Sequence, residues 1–209
     1  ALTIDASRSS QFVSGLLLAA SRFENGLDLT HEGERLPSLP HIEMTVETLA
    51  QRGIAVASDR PGHWRVAPGA LRGRTVDIEP DLSNAGPFLI AALVAGGSVT
   101  ITGWPETTTQ VGNDLLDILP LFGATVTRSG SSVTVSGTGA ISAVTLDLTT
   151  GGELAPALVA LAALADGTSE ITGIGHIRHH ETDRLAALVS EINALGGNAT
   201  ELPDGIRIE

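Results

Sequence analysis

The chain has 209 residues, 42% apolar and 17% charged, with a formal net charge of −12. One or two domains with a sizeable core fit that length, so bulk disorder is excluded, and no apolar run reaches the ~18 residues of a membrane span. With no cysteine there is no disulfide, thiol nucleophile or thiolate metal site, and twelve basic against 24 acidic residues argue against a nucleic-acid partner. No basic leader precedes an apolar stretch, so no secretory signal is read, and without a disulfide to stabilise a secreted form a cytoplasmic protein is expected.

The sequence repeats with a period of about 70 residues. The three copies begin at Thr3–Ala20, Asp77–Ala95 and Thr145–Ala165. In each, a strand-like stretch reaches an aspartate (Asp5, Asp81, Asp147), a turn of small residues follows, and then an apolar helix. Phe12, Phe88 and Leu154 stand at the same offset from those aspartates. A second strand, such as Ser98–Thr102, ends near Gly33, Gly103 or Gly173. Amphipathic helices are then predicted over Ile42–Gln51, Asp114–Leu121 and Asp183–Leu195, stopping at Gly53, Gly123 and Gly196. Hairpins follow at Ile54–Ala57 with Trp64–Val66, Thr125–Arg128 with Ser132–Ser136, and Asn198–Glu201 with Ile206–Ile208. Each copy reads as a βαβαββ unit. The all-round apolar run at Leu158 implies helices packed inside and sheets outside.

Four places carry candidate chemistry. Ser9, Ser10 and Gln11 open the first helix, where free amides, a positive dipole end and two hydroxyls suit a phosphate. The alternative is plain N-capping, and Arg8 either assists or points to solvent. Ser38 and His41 lie in a proline-stiffened loop before the next helix, which suits an anion or a simple turn. Glu153 puts a carboxylate at the mouth of an apolar helix, where it suits proton transfer or merely complements the helix dipole. In the run His176–Leu185, a metal reading on His176, His179, His180 and Glu181 competes with anion handling by Arg184 and proton exchange by Glu181 and His180. A solvated helix start capped by Thr182 or Asp183 is the third alternative.

The segments Asp5-Ala-Ser-Arg-Ser-Ser-Gln-Phe12, Asp81-Leu-Ser-Asn-Ala85 and His180-Glu-Thr-Asp-Arg-Leu185 resemble the EPSP synthase family (3-phosphoshikimate 1-carboxyvinyltransferase), in its actinobacterial form. The likeness runs over essentially the whole chain. It implies an α/β (α+β) enolpyruvyl transferase fold, an inside-out barrel of βαβαββ units, three of six being present. Residues 1–75 would be the last unit of one lobe and 76–209 the first two of the other. The implied reaction transfers the enolpyruvyl group of phosphoenolpyruvate to the 5-hydroxyl of shikimate 3-phosphate, without metal or organic cofactor.

Carried over by position, Ser9, Ser10 and Ser38 would hold the 3-phosphate, and Gln11 would contact both substrates. Glu153 would take the hydroxyl proton while touching shikimate 3-phosphate. His180 stands where many relatives have lysine, as a shikimate 3-phosphate ligand and proton carrier. Glu181 would protonate the methylene carbon, and Arg184 would clamp phosphoenolpyruvate. Glyphosate-type inhibitors are candidate ligands, and the full-length enzyme is expected to be monomeric. Family segments beyond both ends are missing, so the chain reads as an inactive internal fragment. The competing readings are a UDP-N-acetylglucosamine enolpyruvyl transferase, disfavoured by the lack of cysteine, and a non-catalytic repeat scaffold.

Overall fold

The computed structural model describes residues 1–179 and 181–209. Two compact units divide the chain, Ala1–Ile78 and Glu79–Glu209.

The first unit runs β1 (Leu2–Ile4), α1 (Gln11–Ala20), β2 (Leu27–His31), α2 (Leu39–Gln51), β3 (Val56–Ala57) and β4 (His63–Val66). Its sheet order is β1-β2-β4-β3, with β1 parallel to β2 and the remaining pairs antiparallel. The predicted βαβαββ order therefore holds here. Val13, Leu17 and Ala20 from α1, spaced by three and four residues, meet Ile42 and Leu49 of α2 and Leu29, Trp64 and Val66 of the sheet in one core. The helix predicted from Ile42 begins earlier, at Leu39: Pro40 sits in its first turn, where a missing N–H costs no helical bond. Between α2 and the sheet opens a groove of about 900 Å³ lined chiefly by His31, Leu36, Leu39, Ile42, Val46 and Trp64.

The second unit runs α3 (Leu82–Ala95), β5 (Ser98–Thr102), α4 (Leu115–Ile118), β6 (Thr125–Ser129), β7 (Ser132–Ser136), β8 (Thr145–Asp147), α5 (Ala155–Ala162), β9 (Ser169–Thr172), α6 (Arg184–Ala194), β10 (Ala199–Leu202) and β11 (Gly205–Ile208). Its sheets have the orders β5-β7-β6 and β10-β11-β9-β8. The second of these repeats the first unit's pattern, with β8 parallel to β9. Val133 and Val135 of β7 alternate inward, and α3 and α5 bury Leu82, Leu89, Leu93, Leu158 and Leu161 in the same core.

Three expectations are corrected. No strand leads into Asp81 over residues 67–80: Pro80 has no N–H for a ladder and Ile78 is solvent-exposed. Asp81 is instead the N-cap of α3, its carboxylate accepting from the Asn84 amide at 2.9 Å. The helix predicted over Asp114–Leu121 is broken into 3-10 turns at Val111–Asp114 and Leu119–Phe122 around the short α4, with Pro120 in the second turn. The helices are also not uniformly enclosed. Buried α5 behaves as predicted, but Phe12 and Leu18 on α1 and Phe88 on α3 are exposed, and no closed barrel forms among the described residues.

Glycine stops fall as read. Gly53, Gly123 and Gly196 follow their helices with φ of 83°, 101° and 92°. The clearest trace of the repeat is in the turns. A Cβ on Gly33 would overlap the side chains of Asp5 and Ser7, and one on Gly173 would overlap those of Asp147 and Thr149. Both glycines let an aspartate turn close against the end of the neighbouring strand.

Candidate functional site

In the first unit the N-terminal turns of α1 and α2 lie side by side, and the Ser14 and Thr45 hydroxyls are hydrogen-bonded at 3.0 Å. Ser10 is the residue before α1, buried, with helical backbone and no side-chain cap bond. Its carbonyl accepts from the Val13 and Ser14 amides at 3.0 Å each. The Ser9 hydroxyl accepts from the Gln11 amide at 3.2 Å, and Gln11 is exposed. Simple capping thus accounts for Ser9 and not for Ser10.

Ser38 precedes α2 with φ 51° and ψ 46°, the left-handed region, and among the described residues it is the single non-glycine with positive φ. That conformation costs about 1–2 kcal/mol for an L-residue with a Cβ. The Ser38 side chain makes no cap bond that would offset the cost. The structure therefore brings Ser9, Ser10 and Ser38 to two adjacent helix N-termini, each a source of amide donors and positive dipole. Residues Ser9, Ser10 and Ser38 do not line the groove beneath α2.

In the second unit Glu153 lies in a 3-10 turn, Gly152–Leu154, leading into α5. Its Oε1 accepts from the Ser83 hydroxyl of α3 at 2.5 Å. Beneath it, a Cβ on Gly152 would overlap the buried His176 ring, so only glycine lets this turn sit on His176. The His176 ring is thus buried against this turn. The turn's aspartate, Asp147, is held below the usual carboxylate range first by the Thr149 hydroxyl, at 2.6 Å, and then by the Thr149 amide.

Downstream, Asp183 caps α6 by accepting from the Ala186 amide at 3.0 Å. This bond is the main cause of its lowered pKa. Arg178 pairs with Asp183 at 3.2 Å and Glu201 at 2.5 Å and donates to the Leu202 carbonyl, which tethers the loop to β10. Arg184 and Glu181 form an ion pair at 2.6 Å. His180 lies outside the described residues.

Two residues stand out that the sequence reading passed over, Ser83 and Thr45. A signal existed for the first. A hydroxyl stands two positions after each repeat aspartate: Ser7, Ser83 and Thr149. No comparable pattern marks Thr45.

The fold has solved counterparts. An EPSP synthase structure from Acinetobacter baumannii superposes with a TM-score of 0.75 at 24% identity, over 100% of this chain and 48% of that one. The enolpyruvyl transferase NikO from Streptomyces tendae gives 0.67 at 19%, over 99% and 50%. The mixed α/β fold is thus shared with solved EPSP synthase and enolpyruvyl transferase structures. Within that class the chain belongs to the EPSP synthase (3-phosphoshikimate 1-carboxyvinyltransferase) family, whose model matches residues 1–209. Its sequence is 55% identical over 200 residues to the 3-phosphoshikimate 1-carboxyvinyltransferase of Tropheryma whipplei, covering 96% of this chain and 45% of that protein. Against the enzyme of the same name from Kocuria rhizophila it is 54% identical over 209 residues, covering 100% and 47%. The chain therefore spans about half the length of these curated relatives. None of its described helices is long and apolar enough to cross a membrane.

Proposed function

We propose that this chain carries part of the machinery of an enolpyruvyl transfer from phosphoenolpyruvate to the 5-hydroxyl of shikimate 3-phosphate. The observation that carries the reading is the pair of adjacent helix N-termini in the first unit, with Ser10 and strained Ser38 both withheld from capping. Hydroxyls and amides so arranged suit a phosphate dianion, which accepts several charge-assisted hydrogen bonds at once.

On this reading Ser9, Ser10 and Ser38 hold the 3-phosphate, and Gln11 reaches toward both substrates. Glu153 takes the proton of the 5-hydroxyl as its oxygen attacks the central carbon of phosphoenolpyruvate. Glu181 delivers a proton to the methylene carbon, giving a tetrahedral adduct. Loss of a proton from that carbon, with cleavage of the bond to phosphate oxygen, restores the enol ether and releases phosphate. Arg184 binds phosphoenolpyruvate by exchanging its ion pair with Glu181 for the ligand's anionic groups. His180 is assigned to shikimate 3-phosphate and proton transfer by sequence position alone. The 209 residues by themselves are expected to bind without turnover.

The test is an amide-resolved NMR titration with shikimate 3-phosphate. Saturable shifts at Ser9, Ser10 and Ser38, missing with shikimate, are the expected result. Equal responses to both compounds, or none at the serines, would contradict the phosphate role.

A further inference from the structure

The three copies of the repeat use one hydroxyl position differently. In the third, the Thr149 hydroxyl and amide both turn back to Asp147, at 2.6 and 2.8 Å. In the first, the Ser7 amide turns back to Asp5 at 2.8 Å. In the second, Asp81 is already engaged at the head of α3, accepting from the Asn84 amide and side chain. The equivalent hydroxyl, on Ser83, crosses 70 positions of sequence to Glu153.

Several contacts fix that donor. Gln110 accepts from the Leu82 amide at 3.0 Å while its own amide donates to Glu79 and to the Pro80 carbonyl. A Cβ on Gly112 would lie 2.6 Å from the Ser83 nitrogen, so the 3-10 turn at Val111–Asp114 abuts the head of α3. Pro87 has no N–H to return to the Ser83 carbonyl four residues back, which frees this first turn from the regular ladder. On the acceptor side, Gly152 seats the turn on His176.

We infer that Ser83 is a positioning residue for Glu153: its hydroxyl fixes the carboxylate's orientation and favours the charged, proton-accepting form. This rests on the reading of Glu153 as the proton acceptor. A hydroxyl donating to a carboxylate stabilises the anion and lowers its pKa, so the serine keeps the base ionised as it approaches substrate. Of the elements packed on this turn, α3 presents Ser83, the 3-10 turn Gly175–His179 presents His176, and α5 carries no titratable side chain.

The experiment is a carbon-detected NMR titration of the Glu153 side-chain carboxyl in the 209-residue chain. In Ser83→Ala the Glu153 pKa rises by about 0.5–1, and Ser83→Thr, which keeps the hydroxyl, restores it. Ser83→Cys, a weaker donor of similar size, gives a smaller rise and serves if the alanine variant does not fold. An unchanged Glu153 titration in the alanine or cysteine variant overturns the positioning role. Shikimate 3-phosphate added to the same samples separates the two claims. A moved Glu153 titration with no ligand response at Ser9, Ser10 and Ser38 overturns the functional reading and leaves the positioning bond standing.

Discussion

Ser14 and Thr45 join the two serine-bearing helices of the first unit through a 3.0 Å hydroxyl–hydroxyl bond, and the Thr45 hydroxyl also reaches the His41 carbonyl at 2.9 Å. One side chain thus ties the head of α2 to the head of α1, one turn below Ser10. Thr45→Val keeps the shape and removes both bonds. The expected cost is about 1 kcal/mol in urea unfolding, with weaker shikimate 3-phosphate binding. Intact binding at reduced stability would separate the bond from the proposed phosphate site.

Ser38 offers a contrast of sign. Glycine at this position relieves the left-handed strain and should stabilise the chain by about 1 kcal/mol. The same Ser38→Gly change removes the hydroxyl proposed to hold the 3-phosphate and should weaken shikimate 3-phosphate binding. Thermal denaturation and ligand titration of one variant read both effects. A destabilised variant would show that the serine is held for packing.

Asp28 and Asp59, gathered around His63, supply a pH-dependent element away from those helices. His63 is buried, with Nδ1 2.6 Å from Asp59 and Nε2 3.1 Å from Asp28, which also accepts from Arg65 at 3.0 Å. The hydrogen bond with His63 is the first cause holding each of Asp28 and Asp59 below the usual carboxylate range. A folded-state pKa below the unfolded one stabilises the fold above the unfolded value, about 3.9 for aspartate. That stabilisation is lost as pH falls through the lowered values. The stability gap between the parent chain and Asp28→Asn should therefore be widest near neutrality and close in acid below about pH 4. Urea midpoints over that range measure it, and a gap independent of pH would refute the assignment.

Gly152 and His176 should be energetically coupled. Gly152→Ala pushes a Cβ into the buried imidazole and is expected to cost about 1–3 kcal/mol. His176→Ala in the same chain should recover much of that loss, and a double-mutant cycle measures the recovery. Additive losses would mean that the turn bearing Glu153 is not seated on this ring.

Much of this organisation is legible in local sequence because it is local physics. The hairpins announce themselves by alternation, as in Val133 and Val135, and the helix ends by Gly53, Gly123 and Gly196. The repeat itself shows where a turn must meet a strand end, as Gly33 and Gly173 do. The second copy misleads because its aspartate keeps the spacing and changes the job. Asp81 caps a helix that starts at once, whereas the residues after Asp5 and Asp147 first make a turn. Nothing near Ser83 names its acceptor, since Glu153 becomes the partner only when α3 packs on the turn before α5. Ser38 is similar: its residue type predicts a cap, yet its left-handed backbone comes with no side-chain cap bond.

The paired helix heads of the first unit are proposed to grip the phosphate of a phosphorylated shikimate. Calorimetric titration of the 209-residue chain with shikimate 3-phosphate tests this most directly. The account predicts a saturable heat that shikimate does not produce, weakened about ten- to a hundredfold in the Ser9→Ala/Ser10→Ala variant, as for loss of hydrogen bonds to a charged group. Binding of unchanged strength in that variant, or no heat from the parent chain, would contradict it.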